Sequence, residues 1–362
     1  MPSLAETIRR LQPMGGSPLS GFTAPGGAGR LSPLTGFGAN PGALDGWFYA
    51  PATPPTALVV VLHGCTQTAA GYDAGSGWSD LAAAHGFAVL FPEQTRANNP
   101  NLCFNWFNPE DSRRGQGEAE SIRQMVAAMI GRHGIDPTRV FVTGLSAGGA
   151  MTSIMLATYP EIFAGGGIIA GLPFAAATSV TEALERMRGQ GHPAAPAYTD
   201  RARAASAHTG AWPRISVWHG DADHVVVHVN ADRIVEQWLG LHGIAAGRDR
   251  SDTIDGHARR TWLGADGDVA VEAYRIAGMG HGTPLKTGGA EGCGTAGPHM
   301  LDVGISSTRH LAASWGILVE EARQTPAAPA TTVDPNSAAA TSTASTVQAT
   351  IEHALRTTGL MR

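Results

Sequence analysis

The distribution of apolar residues along the chain defines its elements. Residues 57–62 (ALVVVL) are an unbroken aliphatic run, the pattern of a strand buried on both faces. Residues 87–91 (FAVLF) predict a second strand. Between 118 and 133, Ile122, Met125, Val126, Met129 and Ile130 recur at helical spacing and mark one apolar face. Asp136-Pro137 is a turn signal, 140–143 a short strand and 150–159 a helix. Residues 215–219 (ISVWH) predict a later strand, followed by a helix carrying Ile234, Val235 and Trp238. Residues 269–276 alternate as a strand does, and 306–315 read as a closing helix. Strands alternating with helices imply an α/β chain with a mostly parallel sheet covered on both faces.

The same pattern divides the chain. Residues 1–40 hold a short amphipathic stretch (Leu4, Ile8 and Leu11 beside Arg9 and Arg10) and then a Gly/Pro/Ser-rich loop. Residues 41–320 form the main domain, with the Ala-rich stretch 173–212 expected as a cap-like insertion over the site. Residues 321–346 are an Ala/Pro/Thr linker, and 347–362 a last short helix with Ile351, Ala354 and Leu355 on one side.

Composition narrows the function classes. A chain of 362 residues fits one domain with tails. Charged residues make up only 15% and the net charge is −5, and nothing there suggests nucleic acid, which would need a basic patch. No run approaches the roughly 20 apolar residues of a transmembrane helix. Residues 1–14 lack the apolar core of a signal peptide, so the expected location is the cytoplasm, with secretion as the alternative. Three cysteines leave at least one unpaired and are no disulfide framework. A bridge between Cys65 and Cys103, which flank predicted cleft loops, requires an oxidising compartment. Neither H-E-x-x-H nor paired C-x-x-C occurs, and no glycine run has a dinucleotide-binding context, so neither metal nor cofactor is expected.

Four short segments carry chemistry. Gly144-Leu-Ser146-Ala-Gly148 lies between a predicted strand and a predicted helix, the context in which G-x-S-x-G raises a nucleophilic serine above the sheet edge. His63-Gly64-Cys65 ends the first strong strand, where an α/β-hydrolase fold takes one oxyanion N–H; Cys65 is expected to supply it, and Ala147 the other. In His219-Gly-Asp-Ala-Asp223, both Asp221 and Asp223 qualify chemically as the acid that orients a catalytic imidazole. Asp223, past the turn, is the expected one, and His219 is expected to stabilise the loop. In Gly278-Met-Gly-His281-Gly, His281 follows the last predicted strand and is the expected base; the order Ser146, Asp223, His281 is that of α/β hydrolases. The rival His257 falls in an apparent hairpin and reads as a surface residue.

These residues, with 62–72 (LHGCTQTAAGY), 99–107 (NPNLCFNWF), 217–223 and 302–316 (DVGISSTRHLAASWG), resemble the polyhydroxybutyrate depolymerase family of esterases, relatives of feruloyl and acetylxylan esterases. The resemblance spans about 40–318. It implies an α/β-hydrolase fold, the Ser146–Asp223–His281 triad, Cys65 at the oxyanion hole, and Asn105 and Trp106 as substrate-binding residues. It further implies hydrolysis of short-chain or hydroxybutyrate-type esters through an acyl-enzyme. The competing readings are a feruloyl or acetylxylan esterase and, in another class, a non-catalytic protein of polymer granules. The expected partner is an ester substrate, with the terminal stripes either docked on the main domain or paired between subunits, or held on a polyester surface. The oligomeric state is left open.

Overall fold

The computed structural model describes residues 30–319. The two terminal stripes, the linker and the helix expected at 347–362 lie outside the described residues. β3 (Leu58–Leu62) sits at the centre, and all five of its side chains are fully buried. Alternation sends Leu58, Val60 and Leu62 into the core on one face and Val59 and Val61 into the core on the other.

The strands are β1 (Ser32–Pro33), β2 (Asp45–Tyr49), β3, β4 (Ala88–Glu93), β5 (Val140–Leu145), β6 (Gly165–Ile169), β7 (Arg214–Gly220), β8 (Arg250–Ile254), β9 (His257–Leu263) and β10 (Val269–Ile276). They form one sheet in the order β1-β2-β4-β3-β5-β6-β7-β10-β9-β8. From β4 through β10 every neighbouring pair is parallel, while β1, β2, β8 and β9 add antiparallel edges. β11 (Thr283–Leu285) and β12 (Met300–Asp302) make a separate parallel pair. The helices are α1 (Ala69–Ser76), α2 (Trp78–His85), α3 (Gly117–His133), α4 (Ala147–Thr158), α5 (Val180–Met187), α6 (Ala195–Arg203), α7 (Val229–His242) and α8 (Ser307–Ser314). The cores of α3, α4, α6 and α7 join one face of the sheet, and those of α1, α2 and α8 the other. No helix among the described residues is long and apolar enough to cross a membrane.

The domain starts earlier than the sequence suggests. Ser32 and Pro33 pair with Phe48 and Trp47, and Leu34 and Leu44 are buried, so residues after 30 already belong to it. β6 also escaped the pattern. A Cβ at Gly166 would lie 2.5 Å from Leu156 of α4, and one at Gly167 2.5 Å from Leu311 of α8. Helices press so closely on both faces that glycine is required where strand-forming residues would be read.

Candidate active site

The carboxyl ends of β3, β5, β7 and β10 meet at one edge of the sheet, the place where parallel α/β sheets bind ligands. β5 ends at Leu145 and α4 begins at Ala147, leaving Ser146 alone to reverse the chain. Its φ of 58° and ψ of −115° are strained for a residue with a Cβ. Ser146 N–H donates to the Ile169 carbonyl at 2.9 Å, which ties the turn to β6. Glycines make the turn possible. A Cβ at Gly144 would meet the Gly148 carbonyl at 2.5 Å, and one at Gly148 the Leu62 carbonyl at 2.2 Å. The N-terminus of α4, with its partial positive charge, thus opens beside the serine hydroxyl.

The turn after β3 is held from inside. His63 is buried, its Nδ1–H donates to the Gly64 carbonyl at 2.7 Å, and its Nε2 accepts from Gln94 N–H at 3.1 Å. Burial lowers the His63 pKa to about 4, so the ring is neutral. Gly64 N–H is taken by the Gln67 side chain at 2.8 Å. Cys65 and Ala147, by contrast, have N–H groups with no acceptor among the described residues. A disulfide joins Cys65 to Cys103 and ties this turn to the loop bearing Trp106; Cys293 is free and buried.

β7 ends at Gly220, where a Cβ would lie 2.1 Å from the Met279 carbonyl, so the two following loops run side by side. Asp223, buried, receives Val225 and Val226 N–H on Oδ1, both at 2.9 Å. Its Oδ2 lies 2.7 Å from His281 Nδ1 and 3.4 Å from His219 Nε2. Burial pushes the carboxyl's pKa up, but hydrogen bonds from His219 and His281 outweigh it and hold the group far below the usual range. Because Asp223 is ionised, Nδ1 of His281 carries the proton, and in the neutral ring its Nε2 is an acceptor. His219 Nε2–H donates to the Val226 carbonyl at 2.7 Å and so fastens the loop. Asp221 is exposed, bonded to Gly278 N–H at 2.7 Å and paired with Arg275 at 3.4 Å.

Ser146, Ala147, Cys65 and His281 border one cavity of about 300 Å³. Trp106 and Phe107, in T-shaped contact at 5.6 Å, form an aromatic wall, and Leu172, Met187 and Val225 add aliphatic surface. Met187 comes from α5 in the 173–212 stretch.

Two sequence expectations need correction. Asn105 does not border the cavity; its side chain donates to Glu118 at 2.9 Å and accepts from Asn99 at 2.8 Å. Its polarity serves the interior of the loop rather than a ligand. His257 does lie in a hairpin, between β8 and β9, but it is buried. Its Nε2–H donates to the Val303 carbonyl at 2.9 Å, and its Nδ1 accepts from Ala277 N–H at 3.3 Å, a structural role.

The residue missed is Glu118. Fully buried at the start of α3, it accepts from Gln94 at 2.6 Å and from both the backbone and side chain of Asn105, at 2.8 and 2.9 Å. Gln94 also donates to the Cys103 carbonyl at 2.9 Å. Burial, and then the charge of Asp111, raise the Glu118 pKa to about 8, against the pull of these donors. The network links the His63 turn to the Trp106 loop. Its sequence signal was an acid one turn before Ile122, on the apolar face of α3.

The model of the Esterase PHB depolymerase family matches residues 49–259. The chain is 48% identical over 292 residues to poly(3-hydroxyalkanoate) depolymerase C of Paucimonas lemoignei, covering 80% of this chain and 70% of that one. It is 30% identical over 274 residues to feruloyl esterase B of Talaromyces funiculosus, covering 71% and 74%. Among solved structures, an acetyl xylan esterase from Aspergillus awamori matches with a TM-score of 0.67 at 24% identity, over 80% of this chain and 100% of that one. That likeness shows the α/β-hydrolase fold.

Proposed function

The chain belongs to the Esterase PHB depolymerase family and is a carboxylic ester hydrolase, and from this premise we propose that Ser146, Asp223 and His281 cleave hydroxyalkanoate-type esters. Ser146 Oγ attacks the ester carbonyl as His281 Nε2 takes its proton. The N–H groups of Cys65 and Ala147 receive the oxyanion, each worth roughly 3 kcal/mol of transition-state stabilisation. His281 then protonates the leaving alcohol, while Asp223 holds the imidazole and stabilises its charged form. Water, activated by the same imidazole, frees the acyl group from Ser146.

The observation that carries this reading is the 2.7 Å contact between Asp223 and His281 beside a cavity that Ser146 also borders. The apolar cavity walls suit an alkyl chain, with Trp106 packing against it. The 48% identity to a poly(3-hydroxyalkanoate) depolymerase favours hydroxyalkanoate oligomers or polymer over the feruloyl and acetylxylan readings. The disulfide favours a compartment that oxidises thiols, and hence the secreted alternative over the cytoplasm.

The test is a hydrolysis panel of p-nitrophenyl esters of rising length, 3-hydroxybutyrate oligomers, methyl ferulate and acetylated xylan. Hydroxybutyrate oligomers are expected to give the highest kcat/KM among the natural-type substrates. A higher value on methyl ferulate or acetylated xylan would reassign the substrate.

A further inference from the structure

Most of the cavity wall is apolar, so its few polar groups decide which chains are recognised. Beside Ser146 and His281, the polar side chains on the wall are Thr66, Gln67, His299 and Trp106, whose indole N–H can donate but not accept. Gln67 is committed to Gly64 N–H. Thr66 carries a hydroxyl, which both gives and takes hydrogen bonds and so discriminates little.

His299 is more constrained. Its φ is 60°, an unusual conformation for a residue with a side chain. Its carbonyl accepts Thr283 N–H at 2.8 Å, and its Nδ1 lies 3.0 Å from the His281 carbonyl. A carbonyl only accepts, so Nδ1 carries the proton, and in the neutral ring Nε2 is an acceptor. Nε2 has no hydrogen-bond partner among the described residues and is not a buried orphan. The ring stands at 5.9 Å from that of His281, nearly perpendicular to it. The result is a fixed acceptor next to the reacting groups, in a wall that is mostly apolar.

We propose that His299 Nε2 accepts a hydrogen bond from the free hydroxyl of a hydroxyacyl chain end seated in the cavity, which makes His299 a specificity-determining residue. The proposal rests on the ester-hydrolase reading of Ser146. A free hydroxyl donates to Nε2. An internal ester oxygen cannot donate and would set two acceptors against each other. His299 therefore favours acyl groups with a free hydroxyl, as in short oligomers and at the hydroxyl end of a chain, over plain acyl groups and chain interiors.

The experiment compares kcat/KM for p-nitrophenyl 3-hydroxybutyrate and p-nitrophenyl butyrate, a pair differing by that hydroxyl. It uses the full chain, His299→Phe and His299→Gln, with fluorophosphonate labelling as a check that each variant is folded. In the phenylalanine variant the ratio of the two values is expected to fall roughly five-fold, the loss of one neutral hydrogen bond. Glutamine, which restores an acceptor, should recover part of it. If the phenylalanine variant does not fold, His299→Ala is read in the same way. Equal losses on both substrates with an unchanged ratio would overturn the proposal, leaving His299 as a clamp on the His281 loop. A wild-type chain that hydrolyses neither ester would overturn it together with the reading on which it rests.

Discussion

Asp223 Oδ2 approaches His281 Nδ1 to 2.7 Å, while Asp221, two residues earlier, turns outward to Gly278 and Arg275. Asp223→Asn is expected to lower kcat on p-nitrophenyl butyrate by about 10⁴, the cost of losing the orienting acid in serine proteases. Asp221→Asn should change it by less than about ten-fold, because Asp223, not Asp221, is the carboxylate bonded to the imidazole. The reverse order would move the acid to Asp221.

The Cys65–Cys103 bridge fixes the thiol count. Denatured, unreduced protein should titrate with one thiol, that of Cys293. Three thiols would remove the bridge and its support for an oxidising compartment.

Glu118→Ala leaves the buried donors of Gln94 and Asn105 without an acceptor. Orphaned buried donors cost about 1–3 kcal/mol each, so a loss of at least about 2 kcal/mol in urea unfolding is expected. Because Asn105 precedes Trp106 on the cavity wall, KM should rise more than kcat falls. Unchanged stability would show that the network is not what holds the loop.

His63 sets an acid limit. Its pKa is about 4 in the folded chain against 6.5 in the unfolded one. Between these values the unfolded chain binds the extra proton, so stability is lost as pH falls from 6.5 towards 4, by on the order of 3 kcal/mol. Urea melts from pH 8 to pH 4.5 should show this slope, and His63→Asn should flatten it. An equal slope in the variant would place the acid sensitivity elsewhere.

Strong local patterns made much of the fold legible. The run at 58–62 is the central strand, and the stripe from Ile122 to Met129 is the buried face of α3. The glycine spacing around Ser146 marked the turn because only glycine fits against the Leu62 and Gly148 carbonyls. The rest depended on partners distant in sequence. Glycines 165–167 look unlike a strand until Leu156 and Leu311 are packed over them. Which way Asn105 turns is settled by Glu118, thirteen residues away, and His257 became buried through Val303, forty-six residues away. Side-chain direction in a loop is a tertiary property and leaves little trace in spacing.

Ser146→Ala bears most directly on the mechanism. The Ser146 hydroxyl makes no hydrogen bond among the described residues, so the variant should unfold at the wild-type urea midpoint. It should show no hydrolysis of p-nitrophenyl butyrate above background and no fluorophosphonate label, whereas the wild type shows both. A folded variant retaining near wild-type turnover would contradict the account.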